Sequence, residues 1–240
     1  AGVIAGESAI STVGKEGYGL MYRGYTITDL AKNCVFEEVA HLLIYGSLPT
    51  EAQLKAYIAK IAKYRALSPA LKSALELIPK DAHPMNVLLA ACALLSTMNP
   101  EKNCDRNHSK QYEIFDSLIG SFGPILLYWY HFAFFGKRID TEQKGASGQT
   151  DTIARNFMRL LRNDGKEPED IYVKSIDISL ILYAEHGFAA STFACRVTIS
   201  TQSDVYSGIT CAIGTLRGNL HGGANEAAME LIDQFKTPEE

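Results

Sequence analysis

A long succession of helical segments is the feature that most constrains the fold of this sequence. Thr50 precedes a segment with Gln53 at its third position, which is the arrangement of a capping box. Further helices are predicted to begin at Pro69, Pro84 and Pro168, because proline is tolerated in the first turn of a helix. Helical patterns continue over residues 191–201, 204–216 and 224–235.

Only the first 25 residues look extended, with glycines that mark turns between short apolar runs. Two polar loops, residues 99–109 and 140–151, are rich in glycine or asparagine but are too short to be domain linkers. The sequence therefore predicts an all-α chain with a short N-terminal β element.

Charge and cysteine usage exclude several classes of protein. The formal net charge is -4, so the chain has no general attraction for nucleic acid or anionic lipid. The five cysteines form no C-x-x-C pair, and their odd number is not typical of a secreted disulfide framework. We therefore expect a protein of the reducing cytoplasm that binds no nucleic acid.

The segment Leu118–Gly136 contains 19 residues without Lys, Arg, Asp or Glu, which is about the length that spans a bilayer. It also contains Ser121, Gly123, Pro124 and His131, and no other segment of the chain is comparable. We expect no membrane association and interpret the segment as a helix that is hydrophobic on all sides, buried in a core or in a subunit interface.

Signatures of nucleotide-dependent and metal-dependent enzymes are absent from the sequence. It contains no G-x-x-x-x-G-K-[ST], no G-x-G-x-x-G after a strand and no H-E-x-x-H. No spacing of His, Cys, Asp and Glu matches a metal site, so no metal is expected. Four histidines have structural interpretations: His41 and His131 in apolar helices, His108 in a polar loop, and His83 at the start of a helix.

His221 lies just before the predicted helix 224–235. The positive end of that helix dipole favours the neutral imidazole over the imidazolium. Gly222 and Gly223 lack side chains, so a ligand could approach the backbone closely. A neutral imidazole there can donate a hydrogen bond to an oxygen that becomes negative in a transition state. A histidine that serves only as the N-cap of this helix would give the same sequence pattern. The catalytic and the purely structural interpretations of His221 therefore both stay open.

His186 is predicted to close the helix that follows Pro168, with Gly187 at the left-handed C-cap position. The negative end of a helix dipole favours the cationic imidazolium, which could donate hydrogen bonds to an anionic substrate. The alternative is a histidine that only interacts favourably with the end of the helix.

Short segments spread over the whole chain resemble motifs of the citrate synthase family. They are GLMYRGY (19–25), FEEVAHLL (36–43), GSLPT (46–50), HPM (83–85), His186 followed by ASTF (190–193), and HGGANE (221–226). Several of these motifs are weak singly, but their order and spacing together are very specific. The run LLYWYH (126–131) is more similar to the branch of the family that makes 2-methylcitrate.

The resemblance implies a Claisen-type condensation of an acyl-CoA with oxaloacetate, followed by hydrolysis of the thioester. It implies that His221 hydrogen-bonds the thioester oxygen and that His186 binds oxaloacetate. It also implies a homodimer, acyl-CoA as a substrate rather than a tightly bound cofactor, and no cofactor-binding residue within this chain. The family's aspartate base, second catalytic histidine and carboxylate-binding arginines correspond to positions beyond Glu240.

The same resemblance implies that the chain is the N-terminal two-thirds of such an enzyme. A multi-helical large domain would occupy residues 1–221 without its C-terminal helices. Residues 222–240 would begin a small CoA-binding domain that is mostly missing.

The expected activity is that of a 2-methylcitrate synthase acting on propionyl-CoA, and two alternatives remain. One is a citrate synthase that uses acetyl-CoA, because one methylene contributes only about 1–3 kcal/mol in a hydrophobic pocket. The other is a non-catalytic helical scaffold that keeps the fold. Gly187, Ala189 and Asn219 stand where the family usually has Glu, Asn and Pro, and these departures favour the scaffold.

Overall fold

The computed structural model describes residues 6–14, 17, 19–101, 108–145, 148–235 and 237. Of the described residues, 63% lie in helices and 3% in strands, which confirms the all-α class. The helices are α1 (Ile27–Asn33), α2 (Phe36–Tyr45), α3 (Glu51–Ala62), α4 (Pro69–Glu76), α5 (Pro84–Met98), α6 (His108–Phe135), α7 (Ile153–Arg162), α8 (Asp170–Tyr183), α9 (Ala190–Ser200), α10 (Val205–Leu216) and α11 (Gly223–Ile232).

The extended N-terminal element is present as predicted. Strands β1 (Ser11–Thr12), β2 (Met21–Tyr22) and β3 (Tyr25–Thr26) form an antiparallel sheet in that order. Ser11 pairs with Tyr22, and Tyr22 pairs with Tyr25. Gly24 has φ +89° in the turn between β2 and β3, a conformation that glycine adopts without strain.

Most predicted helix starts are confirmed. The Thr50 hydroxyl accepts a hydrogen bond from Gln53 N, and the His83 ring accepts one from Met85 N at the start of α5. The prediction for α8 is wrong by two residues, since this helix begins at Asp170 rather than at Pro168. Glu169 keeps an extended backbone and its carbonyl accepts from Tyr172 N and Val173 N, so Glu169 is the N-cap and Pro168 lies before the helix.

The chain forms two compact units, each built from two separate segments. Unit 1 comprises residues 1–80 and 112–187, and unit 2 comprises residues 81–111 and 188–240. Unit 1 contains the sheet and most of the helices, and unit 2 contains α5, α9, α10 and α11. The domain boundary at residues 221 and 222 that the resemblance implies stays a prediction.

Helix α6 is partly buried within the chain, so burial in a core is confirmed for part of the predicted apolar segment and burial in a subunit interface stays a prediction. Ile125, Tyr128 and Trp129 are buried, whereas Phe134 and Phe135 at the C-terminal end are about half exposed. Within the described residues, α6 is the one helix long and apolar enough to cross a bilayer, and half of its apolar window is buried inside the structure. The absence of membrane association stays a prediction.

A fully buried carboxylate joins three helices of unit 1. Asp116 in α6 accepts hydrogen bonds from Tyr45 Oη at 2.8 Å, from Tyr57 Oη at 3.0 Å and from Lys60 Nζ at 2.5 Å. Burial, together with the Asp116 charge, raises the pKa of Tyr45 to about 12 and also raises that of Tyr57. Both phenols therefore stay protonated and act as donors to Asp116 at any physiological pH.

A second buried carboxyl group of unit 1 belongs to Glu37 of α2, whose side chain contacts the N-terminus of α7. Its Oε1 accepts from Ile153 N at 2.6 Å, while Oε2 is buried and has no hydrogen-bond partner among the described residues. Burial raises the pKa of Glu37 to about 7, although the Ile153 hydrogen bond and Arg65 act to lower it. The folded protein therefore retains this proton at pH values where an exposed glutamate has lost it.

This raised pKa predicts a loss of stability as the pH rises. The unfolded chain releases the Glu37 proton near its ordinary pKa of 4.5, so the stabilising effect is complete below that value and is lost as pH rises through about 7. The change is about 3 kcal/mol. Glu37→Gln keeps the acceptor without the titration. Urea unfolding should show the variant gaining about 3 kcal/mol relative to wild type between about pH 4 and pH 8. An unchanged difference across that range would contradict this assignment.

Unit 2 has a core between α5 and α10. Val87, Ala91 and Cys92 of α5 are buried, as is Ile213 of α10, and the Cys92 thiol donates to the Tyr206 carbonyl. Burial raises the pKa of Cys92, so it stays a thiol and packs as a small hydrophobe. Cys34, Cys92, Cys195 and Cys211 are all free, and Cys104 lies outside the described residues.

Candidate active site

The turn between α10 and α11 carries His221. The backbone folds back tightly here, because His221 N donates to Gly218 O at 2.8 Å and Ala224 N donates to His221 O at 3.1 Å. Helix α11 begins at Gly223 with Gly222 as its N-cap, so His221 is the residue before the cap and not the cap itself. The N-cap interpretation of His221 is therefore wrong.

Ser191 in α9 holds the His221 ring within unit 2. The Ser191 N–H donates to His221 Nε2 at 3.3 Å, and Ser191 Oγ lies 2.9 Å from the same nitrogen. A backbone N–H can only donate, so this contact uses the lone pair of Nε2 and fits the tautomer that carries its proton on Nδ1. The Ser191 hydroxyl then donates to Nε2 as well. No described residue bonds to Nδ1, which leaves the Nδ1–H group as an available donor.

The two glycines after His221 have a packing role that was not predicted. A Cβ at Gly222 would lie 2.5 Å from the Leu216 carbonyl oxygen, and one at Gly223 would lie 2.9 Å from the Arg217 carbonyl oxygen. The end of α10 therefore occupies the space where side chains at these two positions would lie, whereas Gly223 also lines a cleft, and close approach of a ligand to its backbone stays a prediction. The glycines permit close packing of the turn, which fixes the backbone on both sides of His221.

A cleft of about 580 Å³ lies beside this turn in unit 2. It is lined by His83, Gly214, Arg217, Gly218, Asn219, Gly223, Glu226, Ala227 and Glu230. His83 Nδ1 accepts from Met85 N, so the ring proton is on Nε2 and is donated to Glu226 Oε2 over 2.9 Å. The helix-starting role of His83 is confirmed. The contact with Glu226 was not predicted, because 143 residues separate the partners.

His186 lies at the end of unit 1 and its side chain is exposed. The prediction that it closes a helix is wrong, since α8 ends at Tyr183 with Ala184 as its C-cap. The Ala184 N–H bonds to Ile181 O in a tight final turn, which ends the helix before it reaches His186. Gly187 has the predicted left-handed backbone, with φ +70°, but it belongs to the following turn.

The structure thus assigns the two predicted site histidines to different units, His186 to unit 1 and His221 to unit 2. It brings Ser191 to His221, and it brings Glu185 and Ser11 together beside His186. Sequence reasoning gave no role to Ser191, Glu185 or Ser11. The one available signal was that Ser191 lies in the segment after His186 that resembles the family and that Glu185 directly precedes His186.

Comparison with known proteins identifies the family. The model of the citrate synthase C-terminal domain matches residues 1–240. The chain belongs to the citrate synthase family. It is 52% identical over 235 residues to a 2-methylcitrate synthase of Shewanella oneidensis, covering 98% of this chain and 60% of that protein. It is 38% identical to a citrate synthase of Mycolicibacterium smegmatis, covering 100% of this chain and 62% of that protein.

Solved structures of family members have the same fold. The ternary complex of Thermoplasma acidophilum citrate synthase with carboxymethyl coenzyme A and oxaloacetate matches with a TM-score of 0.86 and 28% identity. The match covers 99% of this chain and 60% of that one. This citrate synthase-family chain therefore spans about 60% of the length of the relatives it matches.

In the described ranges, no group of three or more His, Cys, Asp or Glu side chains is placed to hold a metal ion. The homodimer, the cytoplasmic location and the lack of a tightly bound cofactor stay predictions from the sequence.

Proposed function

We propose that the protein is a 2-methylcitrate synthase, which condenses propionyl-CoA with oxaloacetate and hydrolyses the thioester to give 2-methylcitrate and CoA. The observation that carries the proposal is the His221 ring, whose Nε2 is held by Ser191 and whose Nδ1 has no partner among the described residues. Deprotonation next to a thioester places negative charge on its carbonyl oxygen. A fixed neutral donor at that oxygen stabilises the enol form without a proton transfer of its own.

In the proposed reaction, the α-carbon of the enol attacks the ketone carbon of oxaloacetate, and water then releases CoA from the thioester. The resemblance assigns oxaloacetate binding to His186, whose exposed ring can donate to a carboxylate. The base that removes the α-proton would be the family's aspartate, which corresponds to a position beyond Glu240. His221 therefore acts as the electrophilic donor and not as the base.

The choice of propionyl-CoA is supported by similarity. The chain is 52% identical to a 2-methylcitrate synthase and 38% identical to a citrate synthase over comparable lengths. Citrate synthase activity with acetyl-CoA is the second candidate, because the two substrates differ by one methylene.

The test is CoA release by the complete protein that contains this sequence, with oxaloacetate and either thioester. We expect kcat/KM to be at least about tenfold higher with propionyl-CoA than with acetyl-CoA, because a methylene in a fitted pocket contributes about 1–3 kcal/mol. Omission of oxaloacetate is the control for simple thioester hydrolysis. A preference for acetyl-CoA would favour citrate synthase, and no release with either thioester would favour a non-catalytic scaffold.

A further inference from the structure

The N-terminal sheet of unit 1 contacts the segment that carries His186. Tyr22 in β2 is fully buried, and its hydroxyl donates to the Ile181 carbonyl at 3.0 Å, near the end of α8. The same hydroxyl accepts from Glu185 N at 3.2 Å. In β1, Ser11 Oγ donates to Glu185 Oε1 at 2.8 Å. Strand β2 therefore binds the backbone of Glu185, and strand β1 binds its side chain.

Glu185 also fixes the backbone on the far side of His186. Its Oε1 accepts from Gly187 N at 2.5 Å, while its own N–H is bound by Tyr22. The backbone N–H groups on both sides of His186 therefore have hydrogen-bond partners. That of Glu185 donates to Tyr22 Oη, and that of Gly187 donates to the Glu185 carboxylate. The left-handed Gly187 makes this turn possible, and a Cβ built at this position would lie 3.7 Å from Val13 Cγ2 and 4.0 Å from Ser11 Oγ.

These contacts contrast with the exposure of the His186 ring itself. An exposed side chain on a loose segment samples many directions, and ordering it on binding costs conformational entropy. A segment whose backbone is already fixed reduces that cost and keeps the donor in a productive direction. The apolar cluster of Tyr22, Leu42 and Ile181 joins the sheet to α8 independently of Glu185. The Glu185 hydrogen bonds are therefore not required to attach the sheet.

We infer that Glu185, with Ser11 and Tyr22, is a positioning residue that orients His186 toward the dicarboxylate substrate. This inference rests on the proposed function, in which His186 binds oxaloacetate. It gives the short N-terminal sheet a role in substrate affinity. It also predicts that the effect of Glu185 is transmitted through His186 alone.

The test compares variants of the complete protein by calorimetric titration with oxaloacetate and by steady-state kinetics. We expect Glu185→Ala to weaken oxaloacetate binding about tenfold, since hydrogen bonds to a charged acceptor contribute about one to two factors of ten. The KM for acyl-CoA should change less than about twofold. Glu185→Gln should restore affinity, because an amide oxygen still accepts from Ser11 and Gly187. Glu142→Ala, at an exposed glutamate of unit 1, is the matched control.

A double-mutant cycle distinguishes positioning from a general structural effect. In a His186→Ala background, Glu185→Ala should cause no further loss of oxaloacetate affinity. Independent, additive losses would overturn the inference, as would unchanged affinity in folded Glu185→Ala. If His186→Ala itself left oxaloacetate affinity unchanged, the proposed role of His186 would fail instead.

A second pair of variants covers the case in which Glu185→Ala does not fold. Ser11→Ala and Tyr22→Phe each remove one hydroxyl that bonds to Glu185, and each should weaken oxaloacetate binding about threefold. Ser175→Ala removes an exposed hydroxyl from α8 that bonds only to its own helix, and serves as the control. Wild-type affinity in both Ser11→Ala and Tyr22→Phe would overturn the inference.

Discussion

His221→Ala is expected to lower kcat for CoA release by about 10²–10³-fold, the usual effect of removing one donor from a developing oxyanion. The structure supplies the reason, because Ser191 occupies Nε2 and leaves Nδ1–H as the available donor. The loss should appear in kcat and kcat/KM together, since the hydrogen bond strengthens only as the thioester oxygen gains charge. Steady-state kinetics on the complete protein, with the unfolding midpoint measured in parallel, would detect it.

Ser191→Ala provides an intermediate variant for the same site. It removes the hydroxyl contact but keeps the backbone N–H that also bonds to Nε2, so we expect a loss of about tenfold in kcat. Ser200→Ala, at an exposed serine near the end of the same helix, should leave kcat unchanged and is the matched control. Near wild-type kcat in a folded His221→Ala protein would remove the basis of the proposed mechanism.

Asp116→Ala is expected to reduce the free energy of unfolding by about 2–4 kcal/mol, because the Tyr57 and Tyr45 hydroxyls lose their acceptor at about 1–3 kcal/mol for a buried group, whereas the Lys60 side chain is 39% exposed and adds little. The variant would leave Lys60 and the hydroxyls of Tyr45 and Tyr57 without their common acceptor. These groups lie on α2 and α3, so the loss extends across the contact between those helices and α6. Urea unfolding followed by circular dichroism would measure the change.

Asp170→Ala is the matched control for this prediction. Asp170 also forms an ion pair in unit 1, with Arg155, but its side chain is 89% exposed. Exposed ion pairs contribute about 0–1 kcal/mol, so this variant should unfold close to wild type. Equal effects of the two substitutions would show that the buried position of Asp116 is not what makes its contacts stabilising.

Local signals in the sequence predicted the local features of the structure. The capping box at Thr50 and the helix start at His83 depend on neighbours two or three residues away, and both are confirmed. The end of α8 was placed too late because a tight final turn at Ala184 has no sequence marker beyond the glycine that follows it. The helix propensities of the residues indicate that a helix ends near a glycine, but they do not determine which residue is the last in the helix.

The contacts that shape the candidate site were not predictable in the same way. Ser191 and His221 are 30 residues apart, and Ser11 and Glu185 are 174 residues apart. Such pairs depend on how helices pack, which no periodicity within one segment encodes. The family resemblance located the histidines, and the structure added the residues that hold them.

The interleaved construction of the two units has a consequence for synthesis on the ribosome. Helix α5 ends at Met98, whereas its packing partner α10 begins at Val205, 107 residues later. Synthesis proceeds at roughly 5–20 residues per second, so the apolar face of Val87, Ala91 and Cys92 lacks its packing partner for on the order of 5–20 s. Unit 1 is likewise incomplete until α8 emerges. The nascent chain must keep these surfaces from aggregating, so we expect this protein to depend on chaperones while it is being made.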